Sequence, residues 1–251
     1  MLGEGSALMG SDGNAASSAE QSPNELSPVE LDQISPVAQD YVKQIWASLE
    51  WGGEPTSTSM LASRFQTSAP NVSETLRRLA RQGLVTYEPY KPVALTERGR
   101  AVALMMVRRH RLIETYLVES LGYTWDEVHE DAERLEHAAS ARFVDRIDAL
   151  LGYPRMDPHG DPIPGPDLSM PSMDDVAALA ELGPGTYEVV RIADDDPQLL
   201  RRLESVGVQP GSRVDINDVG AGVAADGSAL SEAELAAMYV RPATTASDAE
   251  S

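Results

Sequence analysis

Between Ser68 and Arg81 a serine, a proline two residues later and Val72, Leu76 and Leu79 at helical spacing define one short amphipathic helix. Ser68 offers a side-chain oxygen at the N-cap, and Pro70 lies in the first turn, where a missing N–H costs little. The three apolar residues make the inner face, while Asn71, Ser73, Glu74, Arg77, Arg78 and Arg81 point elsewhere, so the outer face is polar and basic. Upstream, Val37, Tyr41, Ile45 and Leu49 give a first helix that ends near Gly52-Gly53, and Ser59 to Phe65 fits a second. After Gly83, Leu84 to Tyr87 and Val93 to Thr96 read as two strands around Glu88-Pro89-Tyr90-Lys91-Pro92. Three helices followed by a hairpin make a winged helix-turn-helix over residues 34–101. Such a unit places the start of its third helix in the major groove of double-stranded DNA and holds phosphates with flanking cations. The expected DNA contacts are Ser68, Pro70, Asn71, Ser73, Glu74, Arg77, Arg78 and Arg81, with Lys91 on the wing.

A net charge of −20 opposes that expectation for the chain as a whole. Residues 34–115, however, carry eleven basic against seven acidic groups, a balance of +4, whereas residues 1–33 carry six acidic groups and no basic one. A modestly basic reading face on an acidic body weakens nonspecific binding more than docking at a matched site. The sequence has no cysteine, which excludes disulfides and thiolate metal sites. It shows neither a long apolar run nor a basic-then-apolar start, so no membrane association is expected and the protein is expected in the cytoplasm.

Composition divides the rest. Residues 1–33 and 244–251 are expected to be disordered tails, the first of them acidic. A long helix should run from Glu97, capped by Thr96, to Leu121, with Gly122 as its stop. Thr124 and Glu127 form a capping-box pattern for the next helix. Phe143, Ile147, Leu150 and Leu151 mark a further stripe suited to a core or a dimer seam. These helices give a helical domain over 102–166. The Pro-, Gly- and Asp-rich stretch beginning at 153 reads as a linker, bounded here as 167–184. Residues 185–243 alternate short strands with turns. The class is therefore mainly α with a small β part.

Three of the four histidines fall between 110 and 137. Glu133, Glu136 and His137 share one helix face, and an imidazole with several oxygens at one point is a shell suited to a divalent metal. The plain alternative is a solvated acidic face.

Several runs together resemble the diphtheria toxin repressor and manganese transport regulator family. They are Ala38-Gln39-Asp40-Tyr41, Ser68 to Thr75, Leu95-Thr96-Glu97-Arg98-Gly99, Arg109-His110-Arg111-Leu112-Ile113-Glu114, Trp125 to His129, Leu135-Glu136-His137 and the turn Asp157 to Pro164. The likeness spans about 34–166. The C-terminal part is similar to the small SH3-like barrel found in many members, through Asp196 to Arg201 and Gly207 to Gly211. This resemblance implies a dimeric, metal-activated transcriptional regulator on a two-fold DNA operator, with no catalytic residue. It also implies two metal sites: a primary one of Asp40, Glu133, Glu136 and His137, and an ancillary one of His110, Glu114 and His129.

Iron-responsive relatives hold a methionine at the position of Asp40 and a cysteine at that of Glu133. Hard oxygen donors with imidazole suit Mn(II), with Fe(II) as the alternative, whereas sulfur would favour softer metals. Lys43 stands where the manganese branch often has a second carboxylate, which argues against a tight two-metal cluster. Asp194, Asp195 and Asp196 lie where the barrel could lend a further oxygen. Asp40 belongs to the reading domain and the other primary ligands to the helical domain, so a metal would act as a clamp across a hinge. A metallohydrolase would use similar ligands, but it leaves the Ser68–Arg81 helix without a role, as does a metal-storage protein.

Overall fold

A computed structural model of the protein describes residue 31, residues 33–217 and residues 221–243. The expected tail over 1–33 lies outside these residues except for Leu31 and Gln33, and 244–251 lie outside altogether. Leu31 is buried in the first core, where its carbonyl accepts from Gln39 Nε2 at 3.0 Å. The elements run α1 (Pro36–Glu50), α2 (Thr58–Arg64), α3 (Ala69–Arg81), β1 (Val85–Thr86), β2 (Ala94–Leu95), α4 (Glu97–Leu121), α5 (Val128–Glu136) and α6 (Ala141–Leu150). There follow β3 (Ala177–Ala178), β4 (Gly185–Ile192), α7 (Pro197–Ser205), β5 (Arg213–Ile216), β6 (Gly222–Ala224), β7 (Ala229–Leu230), α8 (Glu232–Ala236) and β8 (Met238–Pro242). The class is mainly α with a smaller β part.

The first core joins Tyr41, Val42 and Ile45 of α1, Leu61 of α2, Val72, Leu76 and Leu79 of α3, and Val102, Ala103 and Met106 of α4. Ser68 caps α3 by accepting from the Asn71 backbone N–H. The wing pairs Val85 with Leu95 and Thr86 with Ala94, antiparallel.

Helix α4 has 25 residues, and at about 1.5 Å per residue it reaches through two domains. Thr96 caps it by accepting from the Gly99 N–H, and Gly122 ends it in the left-handed region at φ 74°. Its second half packs Leu112, Ile113 and Leu117 against Val128 and Ala132 of α5 and Val144 and Ile147 of α6. Phe143 and Leu150 face outward, 48% and 68% exposed, so part of the α6 stripe has no partner within one chain.

Three expectations are corrected. The Thr124–Glu127 capping box does not form: the Glu127 N–H donates to the Thr124 carbonyl in a turn, and α5 starts without a side-chain cap. Buried Trp125, packed into the C-terminal core, accounts for the detour. Residues 167–184 are not linker throughout, because β3 pairs with β8 and Leu179 enters the C-terminal core at 1% exposure. The C-terminal sheet is antiparallel in the order β3-β8-β4-β5-β6-β7, and its two edge strands are not paired with each other. It is therefore an open sheet and not a closed barrel. Both edge strands have only two residues.

Candidate metal centre and nucleic-acid interface

Helix α1 turns Ala38, Tyr41, Val42 and Ile45 inward, which leaves Asp40 at the rim of the winged domain, facing the end of α5. There Asp40 Oδ1 lies 2.9 Å from His137 Nε2, and Glu136 Oε1 lies 3.8 Å from the same nitrogen. Ligand atoms of Asp40, Glu136 and His137 fall within 4.8 Å of one another. His137 Nδ1 is 2.9 Å from Gln39 Oε1, which accepts its proton and leaves Nε2 turned toward the carboxylates. Glu133, the fourth expected member, stands apart from this trio. Its Oε1 is 3.4 Å from both His129 Nε2 and Arg64 Nη2, although it lines the same cleft of about 610 Å³.

A second group forms where α4 passes between the two cores. His110 and Glu114, four residues apart, meet at 2.9 Å through Nε2 and Oε1, and His129 Nδ1 approaches the same oxygen to 3.1 Å. A third combination shares Glu114 with His159 and Asp194, and Asp194 Oδ2 is also 3.3 Å from His129 Nδ1. Asp195 and Asp196 do not join these groups, and Asp196 instead caps α7.

His159 was not among the expected ligands. It is fully buried, its Nε2 bonds the Trp125 carbonyl at 2.7 Å, and its Nδ1 has no hydrogen-bond partner while lying 4.0 Å from Glu114 Oε2. An orphaned imidazole nitrogen aimed at two carboxylates fits a cation site. The sequence signal for it is the one histidine outside 110–137, within the Asp157-Pro158-His159-Gly160-Asp161 turn. That turn packs tightly on β4: a Cβ at Gly160, where φ is 87°, would collide with the Val190 carbonyl.

Charges are arranged as imidazolium against carboxylate. Burial pushes the His110 imidazole down, but Glu114 and a hydrogen bond to Glu136 outweigh it and hold His110 at about 9. Burial likewise opposes a charged His129, yet Asp194, Glu114 and Glu133 push it up to about 12. Burial raises Glu114 and Asp194, but the facing histidines bring both well below the ordinary carboxylate range. The hydrogen bond from His129 takes Glu133 down to about 2. Asp40 is shifted the other way, upward, chiefly by burial. Two protons therefore occupy positions that a cation would take over, a competition typical of metal sites.

One pH dependence follows for metal-free protein. His110 and His129 are raised above 6.5 in the fold, so their stabilisation is complete below pH 6.5 and declines above it, that of His110 being lost as pH climbs through about 9 and that of His129 only through about 12. Glu114 is depressed below 4.5, so its share is present above pH 4.5 and lost on acidification. Thermal melts in chelator should give a maximum between these limits and a falling Tm from pH 6.5 to 9. A Tm that rises over that interval would contradict the assigned protonation.

A junction of three domains, built from residues far apart in the sequence, lies beside the His110–Glu114–His129 group. Buried Arg111 donates to Glu50 Oε1 and Oε2 at 2.8 and 2.7 Å, to the Pro162 carbonyl at 2.7 Å and to Asp161 Oδ1 at 3.1 Å. Asp161 Oδ1 also accepts from Trp51 Nε1 at 2.9 Å and Arg191 Nε at 2.8 Å. The Arg191 guanidinium lies 4.7 Å from the Trp51 ring and 5.1 Å from that of Tyr239.

On α3, the expected reading helix, Pro70, Asn71, Glu74, Arg77, Arg78 and Arg81 are exposed. Glu74 pairs with Arg77 at 3.3 Å and Arg81 at 3.7 Å, and Lys91 pairs with Glu88 at 2.6 Å on the wing. The Tyr87 hydroxyl donates to Ser73 Oγ at 3.1 Å, which fixes the wing on α3 and leaves Ser73 only partly exposed.

Comparison with known proteins now decides the family. The profile of the iron-dependent repressor N-terminal DNA-binding domain matches residues 33–93, that of its metal-binding and dimerisation domain residues 96–165, and that of the FeoA domain residues 177–242. The chain is 33% identical over 205 residues to the iron-dependent repressor IdeR of Mycobacterium leprae, covering 76% of this chain and 88% of that one. It belongs to the diphtheria toxin repressor family. A solved manganese-dependent transcriptional repressor in complex with manganese is 46% identical, with 82% of this chain and all of that one covered at a TM-score of 0.75. The manganese regulator SloR is 29% identical, with 84% of this chain covered at a TM-score of 0.69. As a diphtheria toxin repressor family member the protein is a metal-dependent DNA-binding repressor and not an enzyme. Among the described residues no helix is long and apolar enough to cross a membrane.

Proposed function

We propose that the protein is a manganese-activated repressor of manganese uptake genes, working in the cytoplasm as a homodimer on a two-fold operator. The observation that carries this reading is the meeting of Asp40, from the reading domain, with Glu136 and His137, from the dimerisation domain, in a donor set of oxygen and nitrogen without sulfur. Asp40, Glu136 and His137 would hold the primary ion, and Glu133, on the same cleft, is the proposed fourth donor. His110, Glu114 and His129 would hold a second ion, with Asp194 and His159 available to Glu114 on its other side. A bound cation supplies the positive charge that lets these carboxylates stay together across the hinge. The residues do the rest: Gln39 orients His137, Arg111 fixes α4 against α1, and the exposed Arg77, Arg78 and Arg81 meet phosphate. Two reading helices must stand about 34–36 Å apart to enter successive major grooves, so a fixed hinge raises the fraction of dimers able to bind.

Activation by Fe(II) is the second reading, favoured by the likeness to IdeR. Affinity order places Fe(II) above Mn(II) at a given site, so donor hardness and metal supply must decide. The test is operator affinity by fluorescence anisotropy, titrated anaerobically with each metal. Half-activation by Mn(II) within the free cellular range, with Fe(II) ineffective within its own, is expected. The reverse ranking would replace manganese by iron.

A further inference from the structure

Lys43 lies one turn after Asp40 on α1, and its Nζ is 2.5 Å from Glu136 Oε1. The Lys43 side chain is 16% exposed and that of Glu136 is 0% exposed. Glu136 thus has both oxygens taken: Oε1 by the lysine ammonium and Oε2 by His110 Nδ1 at 2.6 Å. Oε1 is also the Glu136 oxygen that lies 3.8 Å from His137 Nε2, on the side where Asp40 approaches. The same carboxylate oxygen therefore faces both an ammonium carried by α1 and the point where Asp40 and His137 meet.

We propose that Lys43 is the resident competing cation of the primary site and sets its metal threshold. In metal-free protein the ammonium neutralises the buried Glu136 carboxylate and ties α1 to α5. When an ion is held by Asp40, Glu136 and His137, Lys43 must yield Oε1 or share it at close range with a like charge, and either costs affinity. The chain accordingly binds its metal more weakly than the same donor set would without the lysine, which places the switch at a higher free metal concentration. This rests on the proposed primary site, and it adds a determinant of affinity that is not itself a ligand.

The test is Mn(II) binding to full-length dimer, followed by the loss of the free-ion electron paramagnetic resonance signal, with thermal melts in chelator as a second readout. Lys43→Gln should bind Mn(II) at the primary site on the order of tenfold or more tightly than wild type, since a nearby like charge is removed. Its metal-free Tm should fall, because Glu136 loses its partner. Lys43→Arg keeps the charge and should stay near wild type in both readouts, which also covers the case of a poorly folded glutamine variant. Asp40→Ala separates the two levels of the proposal by removing a ligand. If Asp40→Ala loses one bound ion while Lys43→Gln binds Mn(II) no more tightly than wild type, the primary site stands and the role of Lys43 is overturned. If Asp40→Ala loses no ion, the primary site is wrong and the proposal for Lys43 falls with it.

Discussion

His137→Ala should weaken Mn(II)-dependent operator binding by about 100-fold or more, beyond the loss typical of disturbing an outer-shell partner, while the dimer stays folded. The asymmetry comes from where the ring sits. His137 is the C-cap of α5, its side chain is 23% exposed, and its nitrogens contact Gln39 and Asp40 across the domain boundary rather than any core group. Removing it deletes a donor and leaves the α4–α5–α6 core of Leu112, Ile113, Val128, Val144 and Ile147 intact. Anisotropy on operator DNA and size-exclusion chromatography in chelator read the two consequences separately. A variant that falls apart to monomer without metal would make His137 a structural residue.

Arg111→Ala should have the largest effect on stability, about 3–5 kcal/mol, as expected when one partner of a buried charge cluster is removed. Glu50 would lose two charged hydrogen bonds and Asp161 one, and Asp157, 3.6 Å from Nε, would lose its ion-pair partner. The damage reaches all three domains, because Glu50 ends α1, Arg111 is mid-α4 and Asp161 is also held by Arg191 of the C-terminal sheet. Arg111→Lys should recover only part of the loss, since an ammonium cannot match the two-oxygen contact with Glu50. Urea unfolding would show this as a lower midpoint, and a midpoint within error of wild type would mean that the cluster adds little.

The local signals in the sequence were sufficient for the winged unit. Ser68 and Pro70 fixed the start of α3, Thr96 and Gly122 the ends of α4, and the spacing of Val72, Leu76 and Leu79 the buried face. Each of these depends on neighbours within a turn or two. What was not legible depends on distant partners. Trp51 and Asp161 are 110 residues apart and Arg111 and Glu50 are 61 apart, and no periodicity encodes such pairings. The Thr124–Glu127 pattern was locally sound but yielded to the burial of Trp125 in another domain. For the site, helical spacing brought Glu136 and His137 together but gave Glu133 the same weight, although Arg64 and His129 draw it aside. His159 was hidden because proline and glycine around it read as punctuation.

The hinge itself is measured most directly by the distance between the two reading helices of a dimer. The absence of native cysteine makes a single Gln82→Cys at the exposed end of α3 a unique labelling position in each protomer. Single-molecule energy transfer between the two labels should give a broad distribution in chelator and one narrow distance with Mn(II), and His137→Ala should remain broad in both. Wild-type distributions that are equally narrow and identical with and without metal, while DNA binding still requires Mn(II), would contradict a metal clamp between Asp40 and the end of α5.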